Sequence, residues 1–218
     1  MPEEKLKAIW YWIARWVCRI FCILWFRIRV YGRENVPDKG PFILASNHQS
    51  YLDPILCGVG LKRRLIFLAR DSLFRNKFFT CLIYSLNAIP IKRDQADISS
   101  VRAVIARLKQ GCGVCLFPEA TRTNDGKIQQ FKPGLGLLCR RSEAMIVPVL
   151  IDGAFECWPR YKKIFSSGNV TISYGPAIAS EQIRNMDDKT LADVLTDRLR
   201  QMQKQRKLKQ GKQPYDYL

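Results

Sequence analysis

The sequence predicts an α/β fold in which a mostly parallel central sheet is flanked by helices, and three observations support this. Apolar strand-like runs alternate with segments of helical length, the order that builds parallel connections. Ile98, Val101, Val104, Ile105 and Leu108 mark one face of an amphipathic helix that Gly111 stops. The chain has 218 residues, 47% of them hydrophobic, enough for one well-cored domain with an appendage.

The chain divides into an N-terminal helix over 1–26, an α/β domain over 27–179, and a C-terminal helix with a basic tail over 180–218. From Ala8 to Phe26 the residues are apolar except for Arg15 and Arg19, with Trp10, Tyr11, Trp12, Trp16, Phe21, Trp25 and Phe26 among them. The stretch is nearly long enough to span a bilayer. Burying two arginines at mid-membrane costs about 2.5 to 3.5 kcal/mol each, and at helical spacing they share a narrow polar stripe with Glu4, Tyr11 and Cys22. A helix lying in the lipid interface fits better, its aromatics at headgroup level and its arginines snorkelling to phosphates. The competing reading is a helix buried against the domain.

Arg27 to Tyr31 alternates like a first strand, ended by Gly32 and the Asn35-Val36-Pro37 loop. Pro41 to Ala45 is a buried strand. A helix starts between Ser50 and Pro54, where Ser50-x-x-Asp53 has the form of a capping box and Pro54 suits a first turn. A strand at 65–69, a Phe- and Leu-rich helix at 71–85 and a strand at Ala88 to Ile91 follow. The strand from Val114 to Phe117 precedes an Asn124-Asp125-Gly126 turn, then a helix through about Ser142. Strands at 145–151 and 170–174 close the sheet. One helix then covers Ser180 to about Lys209, with Leu191, Val194, Leu195, Leu199 and Met202 as its apolar face. Its last turns carry Arg198, Arg200, Lys204, Arg206, Lys207 and Lys209, a pattern of solvated faces or of attraction to an anionic leaflet.

A net charge of +17 calls for an acidic partner: nucleic acid, an anionic membrane surface or a phosphorylated substrate. No helix-turn-helix, zinc-finger or RNA-stacking motif is visible, so nucleic acid is not expected. The eight cysteines sit mostly in apolar stretches and suit reduced thiols facing the cytoplasm. Cys112-x-x-Cys115 has no second pair or histidine to complete a metal site, and both are taken as strand residues.

His48 is the only histidine, and Asp53 follows it closely. With His48 at a strand's carboxyl end and Asp53 in the first helical turn, the pair has the form of a general base and the carboxylate that orients it. A lone His-x4-Asp is commonly just a hydrogen-bonded loop. Its weight comes from Phe117-Pro118-Glu119-Ala120-Thr121-Arg122-Thr123, a second polar loop after a strand, placed to face the same crevice.

Together these stretches resemble the glycerolipid acyltransferase family, which carries an Asn-His-x4-Asp motif and a Phe-Pro-Glu-Gly-Thr-Arg-Ser motif. Ala88 to Arg93 is similar to the block ending in a substrate-binding arginine, and Ile146-Val147-Pro148-Val149 to the final apolar-proline block. The chain departs at Thr123, often serine, and at Ala120, usually glycine, where alanine disfavours a positive φ. The resemblance implies a glycerol-3-phosphate acyltransferase-like fold. It implies transfer of an acyl group from acyl-CoA or acyl carrier protein to the free hydroxyl of 1-acyl-glycerol-3-phosphate, giving phosphatidic acid. His48 and Asp53 would be catalytic; Glu119, Arg122, Arg93, Thr121 and Lys132 would contact substrate, with Glu119 bonding the glycerol or ion-pairing Arg122. No cofactor or metal is implied. The expected setting is the cytoplasmic face of the cell membrane, with a lysophospholipid as partner. Alternatives are another lyso-lipid acceptor, a covalent route through Cys57 or Cys115, or a non-catalytic basic module that binds membrane or nucleic acid.

Overall fold

The computed structural model describes residues 2–70, 88–91 and 98–217. Among these, seven strands form one sheet: β1 (Arg29–Tyr31), β2 (Phe42–Ser46), β3 (Leu65–Arg70), β4 (Ala88–Ile91), β5 (Gly113–Leu116), β6 (Met145–Asp152) and β7 (Thr171–Tyr174). Their order is β1-β7-β6-β2-β5-β3-β4. The strands β6, β2, β5, β3 and β4 are mutually parallel, while β7 runs antiparallel to β6 and β1 runs with β7. The sheet is mostly parallel, as the alternation predicts. The helix expected at 71–85 and the pair Lys92-Arg93 lie outside the described residues.

Helices cover both faces, and the period-2 alternation of β2 divides the core between them. Phe42 and Leu44 pack with Phe26 and Cys22 of α1 (Pro2–Phe26) and with Leu56, Cys57 and Val59 of α2 (Asp53–Val59). Ile43 and Ala45 point the other way, into a cluster with Val104 and Leu108 of α3 (Ile98–Lys109) and Leu135 and Cys139 of α4 (Leu135–Ser142). That cluster also contains Leu191, Leu195 and Leu199 of α5 (Asp188–Lys209). Gly111 ends α3 with φ +78°, a conformation that glycine adopts at little cost.

Two expectations are corrected at the ends of the chain. The helix predicted from Ser180 to Lys209 is two helices, a single turn at Ser180–Arg184 and then α5. The break is a cap: Asp187 accepts from the Thr190 N–H at 2.8 Å and from its hydroxyl at 2.8 Å. The basic end of α5 is largely engaged by protein. Lys207 is buried, 3.5 Å from Asp152 and 3.7 Å from Glu156; Arg206 donates to the Thr171 hydroxyl at 2.6 Å, and Arg200 reaches the Ile128 carbonyl at 3.3 Å.

The second correction concerns α1. It contains the one segment among the described residues, Ile9–Phe26, that is long and apolar enough to cross a membrane. The polar stripe faces the domain: Tyr11 is 3% exposed, Arg15 9% and Cys22 1%. Tyr11 Oη accepts from the Leu65 N–H at 3.4 Å, and Arg15 lies over the Trp12 ring at 4.6 Å. Arg15 therefore does not snorkel outward. Ile9, Ile13, Trp16, Val17, Ile20, Ile23 and Leu24, at helical spacing, form an exposed apolar face. The helix packs as a core helix on one side and presents a lipid-like surface on the other.

Candidate active site

Parallel pairing brings the carboxyl ends of β5, β2 and β6 side by side, where open α/β sheets hold their ligands. His48 leaves the end of β2 and stacks on Phe117, the residue after β5, with ring centroids 4.2 Å apart and planes 20° from parallel. Its Nδ1 is 2.7 Å from Asp53 Oδ2.

Asp53 is fully buried at the first turn of α2, and the same Oδ2 accepts the backbone N–H groups of Gln49 at 2.6 Å and Ser50 at 2.7 Å. Oδ2 thus gathers three nitrogen contacts at the N-terminus of a helix. The capping box is realised in part. Asp53 reaches back to the Ser50 N–H, but the N-cap is Leu52, and the Ser50 hydroxyl donates to the Trp158 carbonyl at 2.8 Å while accepting from the Leu52 N–H at 3.2 Å. Pro54 stands in the first turn as expected.

The second loop is tied to the first through main chain. Glu119 is 3% exposed; its Oε1 accepts from the His48 N–H at 2.8 Å and its Oε2 from the Gln129 N–H at 3.2 Å. The Thr123 N–H donates to the His48 carbonyl at 2.9 Å. Burial pushes the Glu119 carboxyl up to about 8, against the two backbone donors, which favour ionisation. Both oxygens hold loops together, and no ion pair joins Glu119 to Arg122 among the described residues. Ala120 adopts φ +61°, so the loop keeps the left-handed turn that glycine makes more readily.

Arg122 is half-buried, its guanidinium 3.5 Å from the centre of the Tyr51 ring; its Nη1 is buried with no hydrogen-bond partner among the described residues. Thr121 and Lys132 are exposed, and the Lys132 N–H donates to the Pro118 carbonyl at 3.0 Å. The structure thus brings His48, Asp53, Glu119 and Arg122 to one sheet edge, with Thr121 and Lys132 on the same loop system. Arg93 lies outside the described residues.

Several supports escaped the sequence reading. Asn47 is buried and bonds both main-chain groups of Ile151, donating to its carbonyl at 2.9 Å and accepting from its N–H at 2.8 Å. Gln49, also buried, donates to the Gly126 carbonyl at 3.1 Å. Both sit inside the motif, where their polarity next to an apolar strand was the available signal. Trp158 packs on Tyr51 at 5.1 Å between centroids, and nothing local in the sequence marks it.

The cysteine alternative fares poorly. Cys57 and Cys115 are buried against each other, and burial pushes the Cys115 thiol well up, away from the reactive thiolate. Cys115 lies in β5 as expected, whereas Cys112 precedes it. Among the described residues no group of acidic, histidine or cysteine side chains is arranged to hold a metal.

A family model described as Acyltransferase matches residues 27–152. The chain is 27% identical over 175 residues to 1-acyl-sn-glycerol-3-phosphate acyltransferase of Bacillus subtilis (strain 168), covering 80% of this chain and 85% of that protein. It is 27% identical over 166 residues to the chloroplastic 1-acyl-sn-glycerol-3-phosphate acyltransferase LPAT1 of Arabidopsis thaliana, covering 74% of this chain and 46% of that one. The match thus takes in most of the bacterial relative and under half of the plant one. The crystal structure of the 1-acyl-sn-glycerophosphate (LPA) acyltransferase PlsC from Thermotoga maritima superposes with a TM-score of 0.71 at 25% identity, covering 80% of this chain and 70% of that one.

Proposed function

The chain belongs to the Acyltransferase family, and from that membership we propose that it acylates the free hydroxyl of 1-acyl-glycerol-3-phosphate from an acyl-CoA or acyl carrier protein thioester, giving phosphatidic acid. The observation that carries the reading is the 2.7 Å contact between His48 Nδ1 and buried Asp53 at the carboxyl edge of the sheet. With Nδ1 committed to Asp53, Nε2 takes the proton of the acceptor hydroxyl. The freed oxygen attacks the thioester carbonyl and the thiolate departs. General-base help from His48 contributes typically about 10² to 10⁴ in rate, and Asp53 holds the tautomer and stabilises the imidazolium. A thiolate leaves without strong acid assistance, so the pair suffices and direct transfer needs no acyl-enzyme.

Arg122 supplies the phosphate contact. A guanidinium held over the Tyr51 ring is the planar, permanently charged donor a phosphate needs, and its unpartnered Nη1 supports that role. Lys132, Thr121 and Arg93 are proposed as further acceptor contacts. The exposed apolar face of α1 sits in one leaflet on the cytoplasmic side, with Arg15 turned to the protein and so kept out of the hydrocarbon.

The test is an acylation assay of the full chain with radiolabelled acyl-CoA and acyl carrier protein against lysophosphatidate, lyso-phosphatidylethanolamine, lyso-phosphatidylglycerol and lyso-ornithine lipid. Preferred turnover of lysophosphatidate is expected. Preference for an acceptor without a terminal phosphate monoester would overturn the substrate assignment, and absence of any transfer would overturn the activity.

A further inference from the structure

The segment Trp158-Pro-Arg-Tyr-Lys-Lys-Ile-Phe165 has no place in the mechanism, yet its composition and exposure are unusual. It carries Arg160, Lys162 and Lys163 with no acidic residue. Ile164 is 79% exposed and Tyr161 66%. Large apolar side chains this open, interleaved with cations, are the make-up of a surface that meets anionic lipid.

The loop is built rather than loose. The Lys162 N–H donates to the Pro159 carbonyl at 3.1 Å, Trp158 Nε1 to the Lys162 carbonyl at 3.1 Å, and the Ser166 N–H to the Cys157 carbonyl at 2.9 Å. Just beyond its far end the chain is fastened to the end of α1, where the Val170 N–H donates to the Phe26 carbonyl at 2.9 Å. Phe165 packs against Phe21 and Trp25, with centroids 5.8 and 6.0 Å away, at the edge of the exposed face of α1. Its near end touches the catalytic loop through the Ser50 hydroxyl on the Trp158 carbonyl and through Trp158 on Tyr51.

We propose that residues 158–165 form a second lipid-contact element, continuous with α1, in which Tyr161 and Ile164 enter the acyl boundary and Arg160, Lys162 and Lys163 meet anionic headgroups. The proposal rests on the reading of α1 as lipid-facing. Two contacts on one side of the molecule fix its tilt, and the loop stands next to Tyr51 and Arg122. The mouth of the site then opens at headgroup depth, where a phosphate already lies.

Two double variants of the full chain separate the contributions: Tyr161→Ser with Ile164→Ser, and Lys162→Gln with Lys163→Gln. All four side chains are exposed, and thermal melts should match wild type. Co-sedimentation uses phosphatidylcholine vesicles with and without phosphatidylglycerol. The apolar variant is expected to bind both vesicle types about tenfold more weakly. The charge variant should lose about fivefold per cation on the phosphatidylglycerol vesicles alone, a loss that high salt abolishes. Wild-type binding by both variants would overturn the proposal. So would unchanged vesicle binding with a lost acyl carrier protein-dependent rate, because the loop would then dock an acidic protein. Binding needs no turnover, so a failed acyltransferase assay leaves this result readable. If the enzyme is active, both variants should be slow on vesicle-embedded acceptor and normal on a short-chain acceptor dissolved as monomer.

Discussion

Asn47 holds both main-chain groups of Ile151, at 2.8 and 2.9 Å, and so fixes the end of β2 against the end of β6 one residue before His48. Asn47→Ala leaves a buried N–H and a buried carbonyl unpaired and should destabilise by about 2 to 4 kcal/mol, measured by urea unfolding. A loss below about 0.5 kcal/mol would show that neighbouring strands satisfy Ile151.

His48→Ala should abolish transfer while lysophosphatidate still binds, since the ring is partly exposed and its removal leaves the main-chain ties intact. Asp53→Asn should lower kcat by about 10² to 10⁴ with little change in acceptor KM. Thiol release followed across an acceptor titration measures both variants. A near-wild-type rate in folded Asp53→Asn protein would remove its orienting role.

Arg122→Ala should weaken phosphate-bearing acceptors by about 1.5 to 3 kcal/mol, read as a rise in KM, and Arg122→Lys should recover only part. Tyr51 lies under that guanidinium. Tyr51→Phe should therefore behave like wild type and Tyr51→Ala should fall between wild type and Arg122→Ala. Equal KM values in wild type and Arg122→Ala would move the phosphate elsewhere.

Glu119 sets a pH dependence whose sign is determined. Its carboxyl is raised from 4.5 to about 8, so the folded chain keeps a proton that the unfolded chain has released. Its contribution is present in full below the unfolded value and is lost as pH rises through about 8. Melting curves from about pH 5 to about pH 9 should show this decline in wild type and a flatter profile in Glu119→Gln. Parallel profiles would mean that Glu119 ionises like an ordinary carboxylate.

Ala120 sits at φ +61°. Left-handed backbone costs a non-glycine residue about 1 to 2 kcal/mol, and a glycine gives back part of that relief as unfolded-state entropy. Ala120→Gly should stabilise by about 0.5 to 1 kcal/mol and raise Tm by a few degrees. A lower Tm would show that the turn is not strained.

Much of the fold was legible because buried strands announce themselves by apolar runs and turns by Gly, Asn and Pro. The sheet, the helix from Ile98 to Lys109 and the meeting of His48 with Asp53 follow from local pattern. What was hidden depends on partners remote in sequence. Periodicity located the stripe but not which side meets the domain: Tyr11, Arg15 and Cys22 turn to the protein, while Arg19 stays half-exposed. Charge counting could not tell that Lys207 and Arg206 would be taken up by Asp152 and Thr171. Glu119 was legible as a site residue, but its hold on the His48 and Gln129 N–H groups was not.

The supports of His48 also have a chronology. Glu119 lies 71 residues downstream of it, and the Asn47 to Ile151 and Ser50 to Trp158 contacts close loops of 104 and 108 residues. Contacts of such separation form late in folding, whereas a helix is local. During synthesis on the ribosome, the apolar face of α1 emerges more than a hundred residues before Ile151 and Trp158 complete the scaffold around the histidine. On the proposed reading of α1 as lipid-facing, the nascent chain can reach a bilayer while the crevice is still incomplete, so delivery to the lipid surface precedes completion of the site.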